Sequence, residues 1–185
     1  MKVYNLLVTT LSILLLLSCS DQYVVNSKYD SKDNFDKYKT YDWSEFQEGV
    51  KPGNPLHDND YIREIINETI EEEMQDKGFK KSENNPDLFI EYFINLEDKE
   101  SVITAPLDFG GGSNNNYEVI KEELKKAMLI IHIEDRLKQK TLWIGSAESL
   151  IESSPKNLDK KVIKVIEEIF EKFPELEKNP DAIIH

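Results

Sequence analysis

Residues 86–97, which read PDLFIEYFINLE, decide the fold of the domain. Every second residue from Leu88 to Leu96 is apolar, whereas the alternate positions mix Phe89 and Phe93 with polar and acidic side chains. Successive side chains of a strand point to opposite faces, so this alternation predicts a strand in an antiparallel sheet covered on one face. The two phenylalanines of the other face are interpreted as rim packing or as part of an exposed contact patch.

Turn residues, and stretches rich in β-branched and aromatic side chains, predict the strands and loops on either side of this segment. The further strands are residues 23–30, 39–43, 128–133 and 141–147. Residues 44–57 contain glycines and prolines without periodicity and are predicted to form a loop.

Two amphipathic helices complete the predicted elements. The first begins at one of the capping residues 58–60, carries an apolar stripe over residues 62–74 and ends at Gly78. The second is opened by Ser154-Pro155 and ended by Pro174. With about five strands, these helices predict an α+β fold, a two-layer sandwich of a mainly antiparallel sheet with both helices on one face.

The segment before residue 128 is harder to assign. Residues 117–126 have the charges and apolar spacing of a helix but run directly into a strand; helix is favoured and strand stays open. Residues 98–116 include a Gly-Gly-Gly-Ser run followed by asparagines. A phosphate-binding loop needs a strand before it and a helix after it. No strand is predicted directly before this run and asparagines follow it, so a flexible insertion is predicted instead.

The amino terminus has the pattern of an export signal. Lys2 is followed by an apolar stretch shorter than the roughly 20 residues of a membrane span. Residues 16–19, LLSC, resemble the bacterial lipobox, in which a diacylglyceryl group is attached to the cysteine sulfur. The alternative is an ordinary secretory signal with an incidental cysteine.

These features predict the division of the chain. Residues 1–18 form a lipoprotein signal peptide, residues 19–27 a tether lipidated at Cys19, residues 28–174 a single α+β domain, and residues 175–185 a frayed tail. Ser20 does not resemble an inner-membrane retention signal, so the outer membrane is the expected location.

Charge and cysteine content exclude several classes of function. The chain has 36 acidic and 23 basic residues and a formal net charge of −13. Nucleic-acid affinity depends on neutralising phosphates with Lys and Arg, so a nucleic-acid partner is not expected. The single cysteine excludes an intrachain disulfide and a cysteine-rich metal site.

No set of residues indicates catalysis. The three histidines are His57, His132 and His185, and none belongs to a metal-binding motif. Consecutive helical residues point about 100° apart, so the glutamates at 71–73 cannot converge on one ion. His132 is interpreted as a partly buried packing residue. No catalytic residue, metal or cofactor is therefore predicted.

Aromatic residues are the side chains most open to a binding role, because aromatics are enriched at hot spots as well as in cores. Core packing is favoured for each of them. Tyr41, Trp43 and Trp143 are kept as candidate binding residues.

The pattern resembles a family of small bacterial lipoproteins known as domain of unknown function 4136. The matching segments are Tyr29-Asp30, residues 35–43 (FDKYKTYDW), Pro86-Asp87-Leu88 leading to Tyr92, residues 142–147 (LWIGSA) and residues 169–174. Lys126-Ala127 and Ile144 depart from the family pattern. The resemblance implies the fold and an envelope location and supplies no catalytic residue.

Three hypotheses of function follow. The first is a non-catalytic interaction or binding module, held at the membrane by its lipid anchor and facing the periplasm or the cell exterior, with an envelope protein as its expected partner. The second is a small-molecule or glycan-binding lipoprotein with an aromatic-lined groove near Trp43 or Trp143. The third, ranked last, is an envelope hydrolase that uses Asp or Glu side chains.

Overall fold

The computed structural model describes residues 23–49, 51–106, 117–152 and 156–176. The predicted signal peptide, Cys19, the run of glycines and asparagines before Tyr117, Ser154-Pro155 and most of the predicted tail lie outside the described residues.

The described chain forms one mixed sheet and three helices. The strands are β1 (Tyr23–Tyr29), β2 (Thr40–Trp43), β3 (Lys80–Lys81), β4 (Leu88–Pro106), β5 (Tyr117–Asp135) and β6 (Lys140–Glu152). The helices are α1 (Glu45–Gly49), α2 (Asp60–Asp76) and α3 (Leu158–Phe170). The strand order is β1-β6-β5-β4-β2-β3, and all pairs are antiparallel except β4–β2 and β2–β3. The predicted α+β, mainly antiparallel architecture is confirmed.

The β4–β5 hairpin differs most from the prediction. Its register runs from Leu88 opposite Asp135 to Pro106 opposite Tyr117. Residues 117–126 are therefore strand, and the predicted helix is wrong. Residues 98–106 are also strand rather than part of a loop. A long partner strand supplies backbone hydrogen bonds along the whole segment, and this tertiary pairing outweighs its local helical propensity.

Helix α2 follows its sequence signals. The Asn59 side chain accepts a hydrogen bond from the Ile62 backbone amide at 3.0 Å, which caps the first turn. Gly78 has φ of 91°, the left-handed conformation that ends a helix. The buried residues are Ile62, Ile66, Thr69, Ile70 and Met74, as the periodicity predicts.

Helix α3 is shorter than predicted at both ends, beginning at Leu158 and ending at Phe170. Beyond it, the Lys172 amide donates to the Ile169 carbonyl at 3.1 Å and the Phe173 amide to the Phe170 carbonyl at 3.0 Å. This tight turn directs Phe173 into the core, where its side chain is 4% exposed.

The predicted loop over residues 44–57 contains the short helix α1. The Ser44 amide donates to the Ile90 carbonyl at 3.1 Å, and the Gln47 side-chain oxygen accepts from the Tyr92 amide at 2.8 Å. These bonds continue the edge of β4 beyond the end of β2. Because one of the two acceptors is the Gln47 side chain, the sequence has no periodic pattern that predicts this arrangement.

The centre of the core is built on Trp143. Its ring lies 5.4 Å from the ring of Phe170 and 5.2 Å from that of Phe173, measured between centroids. A β-carbon on Gly145 would lie 2.2 Å from the Trp143 ring and 2.4 Å from Ile169. Only a residue without a side chain therefore fits beneath the indole.

Gly145→Ala is expected to lower the free energy of unfolding by about 1–3 kcal/mol, because the added methyl displaces Trp143 or Ile169. Urea denaturation followed by tryptophan fluorescence measures the change. Ser146→Ala, on the opposite face of β6, is the control and is expected to stay within about 0.5 kcal/mol of wild type. Equal stability of the two variants would contradict the packing described.

The buried carboxylate of Asp135, at the end of β5, holds the segment before β2 against the turn between β5 and β6. Asp135 accepts from the Tyr38 hydroxyl at 2.7 Å and from the Lys138 amide at 3.0 Å, and it pairs with the Lys138 ammonium at 2.9 Å. Burial alone would raise the pKa of Asp135, but these hydrogen bonds outweigh it and hold the pKa below its usual range. Burial and the neighbouring carboxylate raise the pKa of Tyr38.

Asp135→Asn is expected to lower the free energy of unfolding by about 1–3 kcal/mol at neutral pH. A lowered folded-state pKa stabilises the protein above the ordinary carboxyl pKa and loses that contribution as pH falls through the folded value. The difference between wild type and variant should therefore narrow at about pH 3, below the ordinary pKa of aspartate. Urea denaturation at both pH values tests this, with exposed Glu83→Gln as control; a gap that is absent at neutral pH or widens in acid would refute it.

Candidate functional site

The sheet is longer than the helices that cover it. Strands β4 and β5 have 19 residues each, whereas α2 has 17 and α3 has 13. The rise per residue is about 3.3 Å in a strand and 1.5 Å in a helix, so the helices span less than half the length of the hairpin. The apolar face of the sheet therefore extends past its second layer, where Ile94 and Leu129 are only partly buried.

A cavity of about 500 Å³ lies where this covering is incomplete. The sheet contributes Ile94, Leu96, Ala127, Leu129, Ala147 and Ile151, and the helices contribute Ile62, Ile66, Leu158, Val162 and Val165. The lining also includes Leu150, which is 60% exposed, and the cavity is partly open to solvent. The wall is mainly aliphatic, which suits an apolar ligand.

A few polar residues accompany the aliphatic wall. They are Tyr23, His57, Glu148, Ser149 and Lys161. Glu148 forms an ion pair with Lys126 at 3.0 Å, and the Ser149 hydroxyl donates to the Leu150 carbonyl at 3.3 Å. The cavity thus combines a large hydrocarbon surface with a small number of polar side chains.

His57 joins the cavity to the loop before α2. Its side chain is buried, with Nδ1 lying 3.2 Å from Asn54 Oδ1 and Nε2 lying 3.3 Å from the Glu152 carbonyl. Both ring nitrogens therefore face acceptors of the protein itself. The contact with Glu152 ties the loop to the end of β6.

Asp58 and Arg63 fix this loop to the start of α2. Asp58 accepts from Arg63 Nε at 2.5 Å, from Arg63 Nη2 at 2.9 Å and from the Gly53 amide at 2.7 Å. The hydrogen bond to Asp58 is the main cause that raises the pKa of Arg63. The guanidinium also lies 5.7 Å from the centre of the Tyr92 ring. A bidentate pair held in this way positions His57 at the cavity wall.

The aromatic candidates of the sequence lie elsewhere. Tyr41 and Trp143 are 0% exposed in the core, and burial raises the pKa of Tyr41 to about 12. Trp43 donates from Nε1 to Glu71 Oε1 at 2.8 Å, and its ring packs edge-on against Tyr92. None of the three candidates lines the cavity.

The outer face of the sheet carries the packing residues Phe93 and His132. Their rings lie 5.1 Å apart, and Phe93 also contacts Phe46 of α1 at 5.9 Å. His132 is half-buried, as predicted for a packing residue. Phe93 is likewise packed between neighbours.

The cavity lining was not identified from sequence. Ile94 and Leu96 were recognised as part of one strand face, but their partners on β6 and α3 are more than 50 residues away in the chain. The length of the hairpin relative to the two helices would indicate the cavity, but the prediction of residues 98–106 as loop and 117–126 as helix concealed that length.

Among the residues that the structure describes, His, Cys, Asp and Glu side chains form no group of three or more suited to holding a metal ion. No helix in the described ranges is both long and apolar enough to cross a membrane.

The fold and the cavity define a two-layer α+β domain, and comparison with protein families assigns this domain to a family. The family model described as Domain of unknown function (DUF4136) matches residues 25–175, and the chain belongs to this family. A comparison with curated proteins gives no match.

Among solved structures, the chain is similar to a PDZ domain protein from Parabacteroides distasonis, with 18% identity and a TM-score of 0.55 over 92% of this chain. The chain spans 40% of the length of that protein, and the likeness concerns the fold alone. Two PelC dodecamer structures from Paraburkholderia phytofirmans are also similar. One has 8% identity and a TM-score of 0.48 over 85% of this chain and 100% of its own. The other has 7% identity and a TM-score of 0.39 over 80% and 94%, respectively.

Asp58→Ala is expected to lower the free energy of unfolding by about 3–5 kcal/mol, because it removes the buried carboxylate that binds both the Arg63 guanidinium and the Gly53 amide. Thermal and urea denaturation measure the loss. Asp60→Ala removes an exposed carboxylate from the same helix start and should cost no more than about 1 kcal/mol. If both variants were destabilised to the same small extent, the loop would not depend on this pair.

Proposed function

We propose that this protein is a lipoprotein of the bacterial cell envelope, anchored through Cys19, whose domain is a non-catalytic binding module for an apolar ligand. The lipobox at residues 16–19 supports the anchor, and the absence of an inner-membrane retention signal after Cys19 favours the outer membrane. Two or three acyl chains suffice for stable anchoring, since each buried methylene adds about 0.8 kcal/mol.

The aliphatic cavity is the observation on which the binding function depends. Its volume of about 500 Å³ is within the range of ~300–1,000 Å³ typical of small-molecule sites. Placing a hydrocarbon group against this wall removes apolar surface from water on both partners, at about 25 cal/mol per Å². A ligand rich in methylene groups fits the wall better than a sugar, which needs polar partners and aromatic platforms.

The proposed hydrocarbon ligand differs from the glycan hypothesis in its chemistry. Tyr41 and Trp143 are fully buried, so neither offers a ring face to a sugar in this conformation. The cavity wall is built mainly from isoleucine, leucine and valine. An envelope protein partner is part of the proposal as well, since a lipid-anchored module acts at the membrane surface.

The anchor is tested with Cys19→Ala. Without the thiol no diacylglyceryl group can be attached, so cells fed a radiolabelled fatty acid should no longer label the protein. Ser18→Ala is the matched control, because it keeps a small residue before the cysteine and should still be labelled. Density-gradient separation of the two membranes then locates the wild type. Equal labelling of Cys19→Ala and wild type would contradict lipid anchoring.

The cavity is tested by filling it. Ser149→Phe places a ring inside the lining, whereas Ser146→Phe makes the same change on the opposite face of β6, outside the lining. Both are made in the Cys19→Ala background and titrated with the fluorescent fatty acid cis-parinaric acid. Ser149→Phe should weaken binding by at least about tenfold, equivalent to 1.4 kcal/mol, and Ser146→Phe should not. If the parent Cys19→Ala chain does not bind the fatty acid, or if the parent and both phenylalanine variants bind it equally, the cavity is not the site. Melting curves of the three chains check that each is folded.

A further inference from the structure

The start of β1 forms part of the cavity wall. Tyr23 and Val24, the first two described residues, both belong to the lining. Tyr23 pairs with Ser149 in the sheet and donates its hydroxyl to Glu168 Oε1 of α3 at 2.9 Å. These contacts fix the amino-terminal end of the domain beside the cavity.

Cys19 precedes Tyr23 by four residues. An extended chain covers at most about 3.6 Å per residue, so four residues can separate the backbones of Cys19 and Tyr23 by no more than about 15 Å. A group attached to that sulfur begins close to the cavity, whatever path the four residues take. The position where β1 starts therefore connects the lipidation site with the aliphatic wall.

We propose that the cavity holds an acyl chain of the protein's own lipid anchor. This inference rests on the proposed function, because it needs both the acylated Cys19 and an apolar ligand in the cavity. It names the ligand: one hydrocarbon chain of the anchor lies against Ile94, Leu129 and Val162, while the remaining chains stay available to the bilayer.

Two physical effects favour this occupant over a free lipid. A short tether raises the effective concentration of the acyl chain at the cavity to the millimolar range, well above that of a dissolved amphiphile. The aliphatic wall removes the chain from water, as the bilayer does, so the two environments compete for the same methylene groups. An acyl chain in the cavity is shielded while the protein is away from a membrane and is exchanged for the bilayer upon contact.

Photo-crosslinking of the lipidated full chain tests the proposal. Cells producing the protein are fed a fatty acid with a diazirine on the chain, which becomes part of the anchor. After irradiation of membranes and of detergent-extracted protein, peptide mass spectrometry locates the crosslinks. An isotope-labelled second copy distinguishes crosslinks within one chain from crosslinks between copies.

The proposal predicts crosslinks within one chain to residues of the cavity wall. Ser149→Phe and Ala127→Phe, two independent filling variants, should each reduce them about tenfold. Ser146→Phe should leave them unchanged. Filling the cavity should also slow the transfer of the lipidated protein between vesicles, because the acyl chain loses its alternative site.

Crosslinks confined to bulk lipid, to other proteins or to a neighbouring copy would overturn the inference. If cis-parinaric acid nevertheless binds the parent chain, the proposed binding function stands and only the identity of the ligand is wrong. If Cys19 carries no acyl group, this inference and the anchor both fail. If neither crosslinks nor fatty-acid binding is seen, the cavity is not a hydrocarbon site at all.

Discussion

The structure depends on a mismatch of length between its two layers. A hairpin of two 19-residue strands extends about 60 Å, whereas the 17-residue helix α2 extends about 26 Å. Both layers are apolar on their facing sides, so the helices bury the part of the sheet around Trp143 and leave the region around Ile94 and Leu129 partly covered. The cavity is the consequence of this incomplete second layer.

Other contacts of the fold keep the sheet and the helices in this arrangement. Gly145 leaves the space that the Trp143 ring and Ile169 of α3 occupy, so α3 packs closely at one end. Asp58 and Arg63 hold the loop that brings His57 to the other end. A cavity of this size loses packing contacts on its lining, and a ligand that restores them stabilises the folded chain. The stability of the module and its occupancy are therefore linked.

The sequence was sufficient where the physical cause is local. Asn59 and Gly78 bound α2, and the alternation over residues 88–96 predicts β4 and its buried face. It was insufficient where the cause is tertiary: residues 117–126 are strand because β4 pairs with them, and α1 is held by Gln47 bonding to Tyr92. The candidates Tyr41, Trp43 and Trp143 were chosen by residue type, but the cavity arises from relative element lengths, which no single residue reports.

The central claim is that the cavity between β4, β5, β6 and the helices takes up a hydrocarbon chain. The most direct measurement is methyl NMR of the Cys19→Ala chain with a spin-labelled fatty acid. The account predicts strong line broadening of the methyl groups of Ile94, Leu129 and Val162, and little effect on Ile144, which lies on the outer face of the sheet. Broadening centred on the outer face, or none at any of these methyl groups, would contradict it.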